Sequence, residues 1–200
     1  MPGHILLITG PAGAGKTTVA DAWARTRVDR RAHVSLDSFR LLVKSGYHDP
    51  RLGWNDEAQR QLNIARSNVA SVAARFTESG ISCVIDDAVF PNWEPVGLDR
   101  WKRALGPIDI DLVAIIPQWS VICDRNTARD EADRIPQEML RKIYDDMAGW
   151  RDRPGVLVID NSNLSVAETV AEIARLFPSQ CERPTPYTPS LAGSRNFAAP

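Results

Sequence analysis

The sequence has little cysteine, no long apolar run and almost no net charge. Three of its 200 residues are cysteines, Cys83, Cys123 and Cys181, and no C-x-x-C pair occurs. This spacing argues against a disulfide framework and against a zinc site. No apolar stretch reaches 18 residues, and the first apolar run, at 5–9, reads as a strand rather than a signal peptide. We therefore expect no membrane association and a cytoplasmic location.

The charges nearly cancel, with 24 Lys and Arg against 25 Asp and Glu. No overall basic field would attract nucleic acid, although a local groove could still be basic. The length suits one α/β domain. We assign residues 1–177 to that domain. Residues 178–200 are rich in Pro, Ser and Thr without apolar periodicity, which predicts a disordered tail.

The most informative segment is a glycine-rich loop between an apolar run and a helical pattern. It matches the P-loop pattern G-x-x-x-x-G-K-[ST], and its residues are Gly10, Pro11, Ala12, Gly13, Ala14, Gly15, Lys16 and Thr17, followed by Thr18. Glycines let backbone N–H groups approach phosphates closely, and a helix N-terminus favours negative charge. We expect the loop to bind ATP, with Lys16 on the β- and γ-phosphates and the Thr17 hydroxyl on Mg²⁺.

Five short apolar strands alternate with helical patterns along the chain. This order predicts a three-layer P-loop NTPase fold, in which helices cover both faces of a five-stranded parallel sheet. Ligands of such folds bind beyond the carboxyl ends of the strands. The residues that directly follow predicted strands should therefore gather at one edge; they are Gly10, Asp37, Asp86, Asp87, Pro117 and Asp160.

Asp37 ends the second predicted strand, and Arg40 follows three residues later. A kinase that acts on an alcohol needs a base within hydrogen-bond reach of the attacking hydroxyl. We predict that Asp37 is this base, the alternative being that it caps a helix beginning at Ser38. Arg40 either contacts the substrate or is a solvated helix residue.

Asp86 and Asp87 close the third strand in the Walker-B arrangement. Adjacent carboxylates on an extended chain point in opposite directions, so we expect one to serve the metal and the other the substrate or a helix cap. We assign the metal to Asp86 and the substrate to Asp87, although the sequence does not decide between them.

A charged segment from Arg125 to Arg134 contains a further arginine, Arg129. Arg125 and Arg129 share a face if the preceding helix extends that far. We predict an arginine lid that closes over the phosphates, with Arg125 and Arg129 in catalysis and nucleotide binding. The alternative is a salt-bridged surface turn.

Three further residues follow or interrupt predicted elements near the expected active edge. Trp54 and Trp93 lie in loops and either stack on a substrate ring or attach the loops to the core. Asn161 follows the fifth strand, where an adenine could bind.

The chain resembles P-loop kinases of the group that includes phage polynucleotide 5′-kinase, chloramphenicol phosphotransferase, zeta toxins and gluconate or shikimate kinases. The resemblance spans about residues 3–177. It is carried by Val34-Ser35-Leu36-Asp37-Ser38-Phe39-Arg40, by Val84-Ile85-Asp86-Asp87, and by Arg125-Asn126-Thr127-Ala128-Arg129 with Ile135-Pro136 and Tyr144-Asp145-Asp146-Met147. It implies that Asp37 is the general base and that Arg129 is the lid arginine nearest the transferred phosphate.

These observations lead to an expected activity and two alternatives. We expect an ATP-dependent kinase that phosphorylates a hydroxyl of a small molecule such as an antibiotic, a nucleoside or a sugar. The first alternative is a polynucleotide 5′-hydroxyl kinase, which the neutral charge and the acidic residues of the lid disfavour. The second is a nucleotide switch without an acceptor, but the guanine-reading pattern Asn-Lys-x-Asp is absent from the sequence.

Overall fold

A computed structural model describes residues 3–25 and 30–176 of the chain. The predicted tail at 178–200 and the predicted end of the domain at 177 lie outside these residues. Within the described part, no helix is both long and apolar enough to cross a membrane.

The described residues form a five-stranded parallel sheet in the order β2-β3-β1-β4-β5. The strands are β1 (Ile5–Thr9), β2 (Arg31–Ser35), β3 (Ser82–Asp86), β4 (Ile110–Ile115) and β5 (Leu157–Ile159). β1 is central, and its register pairs Leu7 with Ile85 of β3 and with Leu112 of β4. The sheet and its helices confirm the predicted P-loop NTPase fold.

In the part of the chain that the structure describes, seven α-helices connect and flank the strands. They are α1 (Lys16–Arg25), α2 (Leu36–Arg40), α3 (Asp56–Glu78), α4 (Leu98–Leu105), α5 (Trp119–Thr127), α6 (Gln137–Ala148) and α7 (Val166–Leu176). α1 packs with α7, whereas α3 packs with α2 and α4, and both α1 and α3 contact β2 and β3. The apolar residues of β1 are almost completely buried because this strand lies between two others.

Local sequence signals set most of the helix ends. The Asn55 side chain accepts from Ala58 N at 2.9 Å and begins α3. At α7, Ser165 N donates to Glu168 Oε2 at 2.8 Å while Glu168 N donates to Ser165 Oγ at 3.2 Å, which forms a capping box. Pro136 is the N-cap of α6.

One predicted helix start is wrong, and another helix ends too early for a pairing that depended on its length; both affect the site. α2 begins at Leu36 instead of Ser38, so Asp37 lies in its first turn and does not cap it. α5 ends at Thr127 with Ala128 as its C-cap, so Arg129 lies beyond the helix and does not share a helix face with Arg125.

Candidate active site

The P-loop connects β1 to α1 at the centre of the sheet. Gly13 and Gly15 have φ angles of 83° and 89°, a left-handed conformation that favours glycine. A Cβ on Gly10 would lie 2.1 Å from the carbonyl oxygen of Ile115, because the loop begins in close contact with the end of β4. Above Gly15, no atom lies within 4 Å of an added Cβ, so this side of the loop is open. Glycine is thus required both for the turn and for the close approach.

Lys16 folds back over this loop. Its Nζ donates to the carbonyl oxygens of Gly10 at 3.0 Å and of Pro11 at 3.1 Å. Burial lowers the pKa of Lys16, while the negative charges of Asp37, Asp86 and Asp87 oppose that shift. An ammonium group that is bonded only to neutral carbonyls and surrounded by carboxylates can be redirected to a phosphate without leaving an ion pair broken.

The two carboxylates after β3 have different partners. Asp86 is 3% exposed, and its Oδ2 accepts from the Thr17 hydroxyl at 2.7 Å. Asp87 Oδ2 instead accepts from the indole Nε1 of Trp101 at 2.8 Å. Only Asp86 therefore contacts the P-loop threonine, and Asp87 faces the helices that follow β3.

His33 contributes a second contact to Asp86 that the sequence did not predict. Its Nε2 lies 2.7 Å from Asp86 Oδ1, because β2 and β3 are neighbours in the sheet. Burial acts to raise the pKa of Asp86, but the hydrogen bonds from His33 and Thr17 outweigh it and the net shift is downward. Burial raises the pKa of Asp87, although the charge of Arg66 and the Trp101 hydrogen bond oppose that rise.

The acidic residue of α2 faces solvent beside an arginine. The Asp37 side chain is 75% exposed, and its Oδ1 accepts from Arg40 Nη1 at 3.1 Å. Arg40 is largely buried and also donates from Nη2 to the Tyr47 hydroxyl at 3.1 Å. Arg40 is therefore held between α2 and the following loop and is not a freely solvated residue.

Arg125 and Arg129 occupy different environments. Arg125 Nη1 donates to the carbonyl oxygens of Gly13 at 3.2 Å and Ala14 at 3.3 Å, so this residue is bound to the P-loop backbone. Arg129 lies where its charge affects the pKa of Lys16. Arg129 also lines a cavity of about 410 Å³ with Arg51, Ala128, Asp130 and Asp133.

The segment between α5 and α6 is joined at its two ends by one side chain. Asn126 Nδ2 donates to the Ile135 carbonyl at 2.9 Å, and Ile135 N donates to Asn126 Oδ1 at 3.1 Å. Within the segment, Arg134 Nε donates to the Arg129 carbonyl at 2.9 Å. Residues 127–134 thus form a closed loop beside the P-loop.

The remaining predicted residues lie on the two sides of this edge. Trp54 and Trp93 pack edge-on with ring centroids 4.6 Å apart, and Trp93 contacts Phe90 in the same way at 5.6 Å. This packing favours the role of attaching loops to the core, and their stacking on a ligand stays a prediction. Asn161 is buried, and its Nδ2 donates to the Ala14 carbonyl at 3.1 Å.

A family model described as an AAA domain matches residues 5–154, which is three quarters of the chain. The chain belongs to the AAA domain family. No curated protein sequence matches it.

Solved structures share the fold of this AAA domain at low sequence identity. A sugar kinase from Janibacter sp. HTCC2649 is 16% identical with a TM-score of 0.63, covering 91% of this chain and 100% of that one. A thymidylate kinase from Candida albicans is 13% identical with a TM-score of 0.64, covering 89% and 92%. A tunicamycin resistance protein from Deinococcus radiodurans is 17% identical with a TM-score of 0.59, covering 87% and 95%.

Sequence reasoning missed several residues that surround the site of this AAA domain. His33 and Tyr47 form their contacts with Asp86 and Arg40 across a strand pair and a loop. Arg66 lies on α3, is 3% exposed, and carries two guanidinium nitrogens without a hydrogen-bond partner. The sequence offered little signal for it, because arginine is rarely fully buried and Arg66 only follows the apolar residue Ala65.

Proposed function

We propose that this AAA domain is an ATP-dependent phosphotransferase that moves the γ-phosphate to a hydroxyl of a small molecule. The observation that carries the proposal is the position of Asp37. Asp37 lies in the first turn of α2 directly after β2, whose Ser35 pairs with Asp86 of β3, and its negative charge acts to raise the pKa of Lys16. A solvent-facing carboxylate is therefore close to the residue that would hold the terminal phosphates.

The P-loop residues fit ATP and Mg²⁺. Gly13 and Gly15 provide the left-handed turn, Lys16 provides a cation, and the side of the loop above Gly15 is open. Thr17 and Asp86, already hydrogen-bonded to each other, are the oxygen ligands that would hold Mg²⁺. When bound, the nucleotide and metal supply the phosphoryl group and neutralise its charge. His33 would keep Asp86 oriented from the side opposite Thr17.

Asp37 would accept the proton of the attacking hydroxyl. Its exposure leaves the carboxylate accessible to a substrate, and Arg40 fixes one of its oxygens. The acceptor oxygen forms a bond to the γ-phosphorus while the bond between that phosphorus and the β,γ-bridging oxygen breaks, and ADP leaves. Lys16 and Arg129 would stabilise the charge on the transferred group.

Two further observations support a small acceptor. The net charge of the chain is −1, which provides no general attraction for a polynucleotide. The solved structures with this fold include a sugar kinase, a thymidylate kinase and a tunicamycin resistance protein, all of which are named for small molecules.

The test is transfer of labelled γ-phosphate from ATP to a panel of sugars, nucleosides and antibiotics, with a 5′-hydroxyl oligonucleotide as a separate arm. We expect a small molecule to be labelled. Asp37→Asn should reduce kcat by about 10²- to 10⁴-fold with little change in ATP binding, because only the proton acceptor is lost.

The matched control is Asp99→Asn, which changes an exposed aspartate on α4 whose side chain is 80% exposed. It should retain normal turnover. Full activity of Asp37→Asn would remove Asp37 as the base, and exclusive labelling of the oligonucleotide would establish the polynucleotide kinase instead.

A further inference from the structure

One buried arginine near the acceptor side has donors that the protein does not use. Arg66 lies on α3 and is 3% exposed, and neither its Nε nor its Nη2 has a hydrogen-bond partner. Its Nη1 makes one long bond, 3.5 Å, to Asn63 Oδ1. Burying unpaired donors of a charged group is costly, so this arrangement requires a reason.

The two unpaired donors are the ones that bind oxyanions best. In a guanidinium group, Nε–H and Nη2–H point in the same direction and match two oxygens of a carboxylate or phosphate. The third nitrogen, Nη1, is the one already directed to Asn63. The edge of Arg66 that suits two-point binding is therefore the unused edge.

The location connects Arg66 to the carboxyl edge of the sheet. Its Cζ lies 5.6 Å from the ring centroid of Trp101, and Trp101 Nε1 donates to Asp87, which directly follows β3. Arg66 and Asp87 form no ion pair, although both are near Trp101. Trp101 thus connects Arg66 with the aspartate that follows β3 at this edge.

The surrounding charges leave a positive surplus. Glu94 accepts from Arg100 at 2.8 Å and from Arg103 at 3.0 Å, so one carboxylate serves two arginines. Arg100 Nε is also buried without a partner. Together with Arg66 and Asp87, these side chains carry three positive and two negative charges. One net positive charge remains, which an anion would balance.

We propose that Arg66 binds an oxyanion of the acceptor, so that the phosphorylated molecule carries a carboxylate or phosphate in addition to its hydroxyl. This inference rests on the proposed function and narrows its substrate class. The 3-10 turn Glu94–Val96 is linked to the side of α3 that carries Asn63. Gln59 Nε2 makes this link, because it donates both to Asn63 Oδ1 at 2.9 Å and to the Pro95 carbonyl at 3.5 Å. Because the Arg66 donors are buried, the acceptor reaches them only when this covering shifts.

The first experiment measures anion binding without catalysis. The melting temperature of the full chain, saturated with Mg-ADP, is compared in sodium acetate, sodium methylphosphonate and sodium chloride at equal ionic strength. Acetate identifies a carboxylate site and methylphosphonate a phosphate site. We expect one of them to raise the melting temperature above that in chloride, and Arg66→Met to abolish the increase. Equal melting temperatures in all three salts would overturn the proposal.

The variants distinguish binding from a structural role. Arg66→Met should leave the melting temperature of the ligand-free protein unchanged or raise it, because it removes unpaired buried donors. A large decrease in the melting temperature of ligand-free Arg66→Met, with its stabilisation by the anion intact, would show that the arginine only supports packing. Arg75→Met, an exposed arginine on the same helix, is the control and should behave as the wild type.

The second experiment compares turnover of matched acceptors, such as D-glucose, D-glucuronate and D-glucose 6-phosphate, and thymidine with its 5′-monophosphate. We expect transfer to favour an anionic member, with KM raised about tenfold to a hundredfold in Arg66→Met and kcat less affected. Transfer to neutral members alone would overturn this inference and leave the proposed function standing. No transfer to any alcohol would count against the proposed function, while the melting experiment still decides whether Arg66 binds anions.

Discussion

Thr9 provides a sharp test of how the loop after β3 is held. This residue ends β1 and is fully buried, as is Val89 in the loop that follows Asp87. Val89 N donates to the Thr9 hydroxyl at 2.8 Å, and that hydroxyl donates to the Val89 carbonyl at 3.3 Å. Thr9→Val retains the side-chain volume but removes both hydrogen bonds.

The expected loss follows from which groups are left unpaired. The Val89 carbonyl keeps a bond from Trp150 Nε1 at 2.7 Å, but Val89 N has no acceptor other than the Thr9 hydroxyl among the described residues. A buried N–H without a partner costs about 1–3 kcal/mol, and the bond to the carbonyl adds about 1 kcal/mol. We therefore expect Thr9→Val to lower the free energy of unfolding by about 3 kcal/mol. For a chain of this size, that corresponds to a decrease in Tm of roughly 6–12 °C.

Thr9→Ser is the matched control because it keeps the hydroxyl and loses only a methyl group. Its expected cost is about 1 kcal/mol. Urea unfolding with a fitted m value measures both variants. If Thr9→Val is as stable as Thr9→Ser, the hydroxyl does not hold the loop and the reasoning is refuted.

Three further predictions concern other parts of the fold. Burial raises the pKa of Cys83 to about 12 from 9.0. Above pH 9 the unfolded chain therefore loses the Cys83 proton before the folded chain does, and the free energy of unfolding should fall by about 1.4 kcal/mol per pH unit. Urea titrations between about pH 8 and 10.5 measure this decrease, which Cys83→Ala should lack. Gly10→Ala should prevent stable folding, as judged by circular dichroism, because its Cβ would lie 2.1 Å from the Ile115 carbonyl. Ser165→Ala should lower the free energy of unfolding by about 1 kcal/mol through loss of the capping box with Glu168, and Ser165→Thr should restore most of it.

The sequence was sufficient for features that depend on contiguous residues. The P-loop has strand, glycines and helix within one segment, so its position at the end of β1 followed directly. The parallel sheet followed from alternating apolar and helical patterns. The separate partners of Asp86 and Asp87 were also anticipated, since adjacent residues at a strand end point to opposite sides.

Contacts between distant segments could not be predicted in the same way. The pairing of His33 with Asp86 depends on the register of β2 against β3. The binding of Arg125 to the P-loop carbonyls joins residues more than 100 positions apart. The early start of α2 was missed for a different reason. Ser35 and Leu36 fit a strand pattern as well as a helix pattern, and in the structure Leu36 is a fully buried residue of α2.

The closed form of residues 127–134 has a consequence for exchanging parts between related proteins. Because the amide of Asn126 holds Ile135 through two hydrogen bonds, the entry and exit of this loop stay at fixed positions whatever lies between them. Lengthening a loop whose ends are already together adds little entropic cost. A longer or differently charged segment could therefore be grafted between Asn126 and Ile135 while the nucleotide cradle, anchored separately through Arg125, keeps its shape.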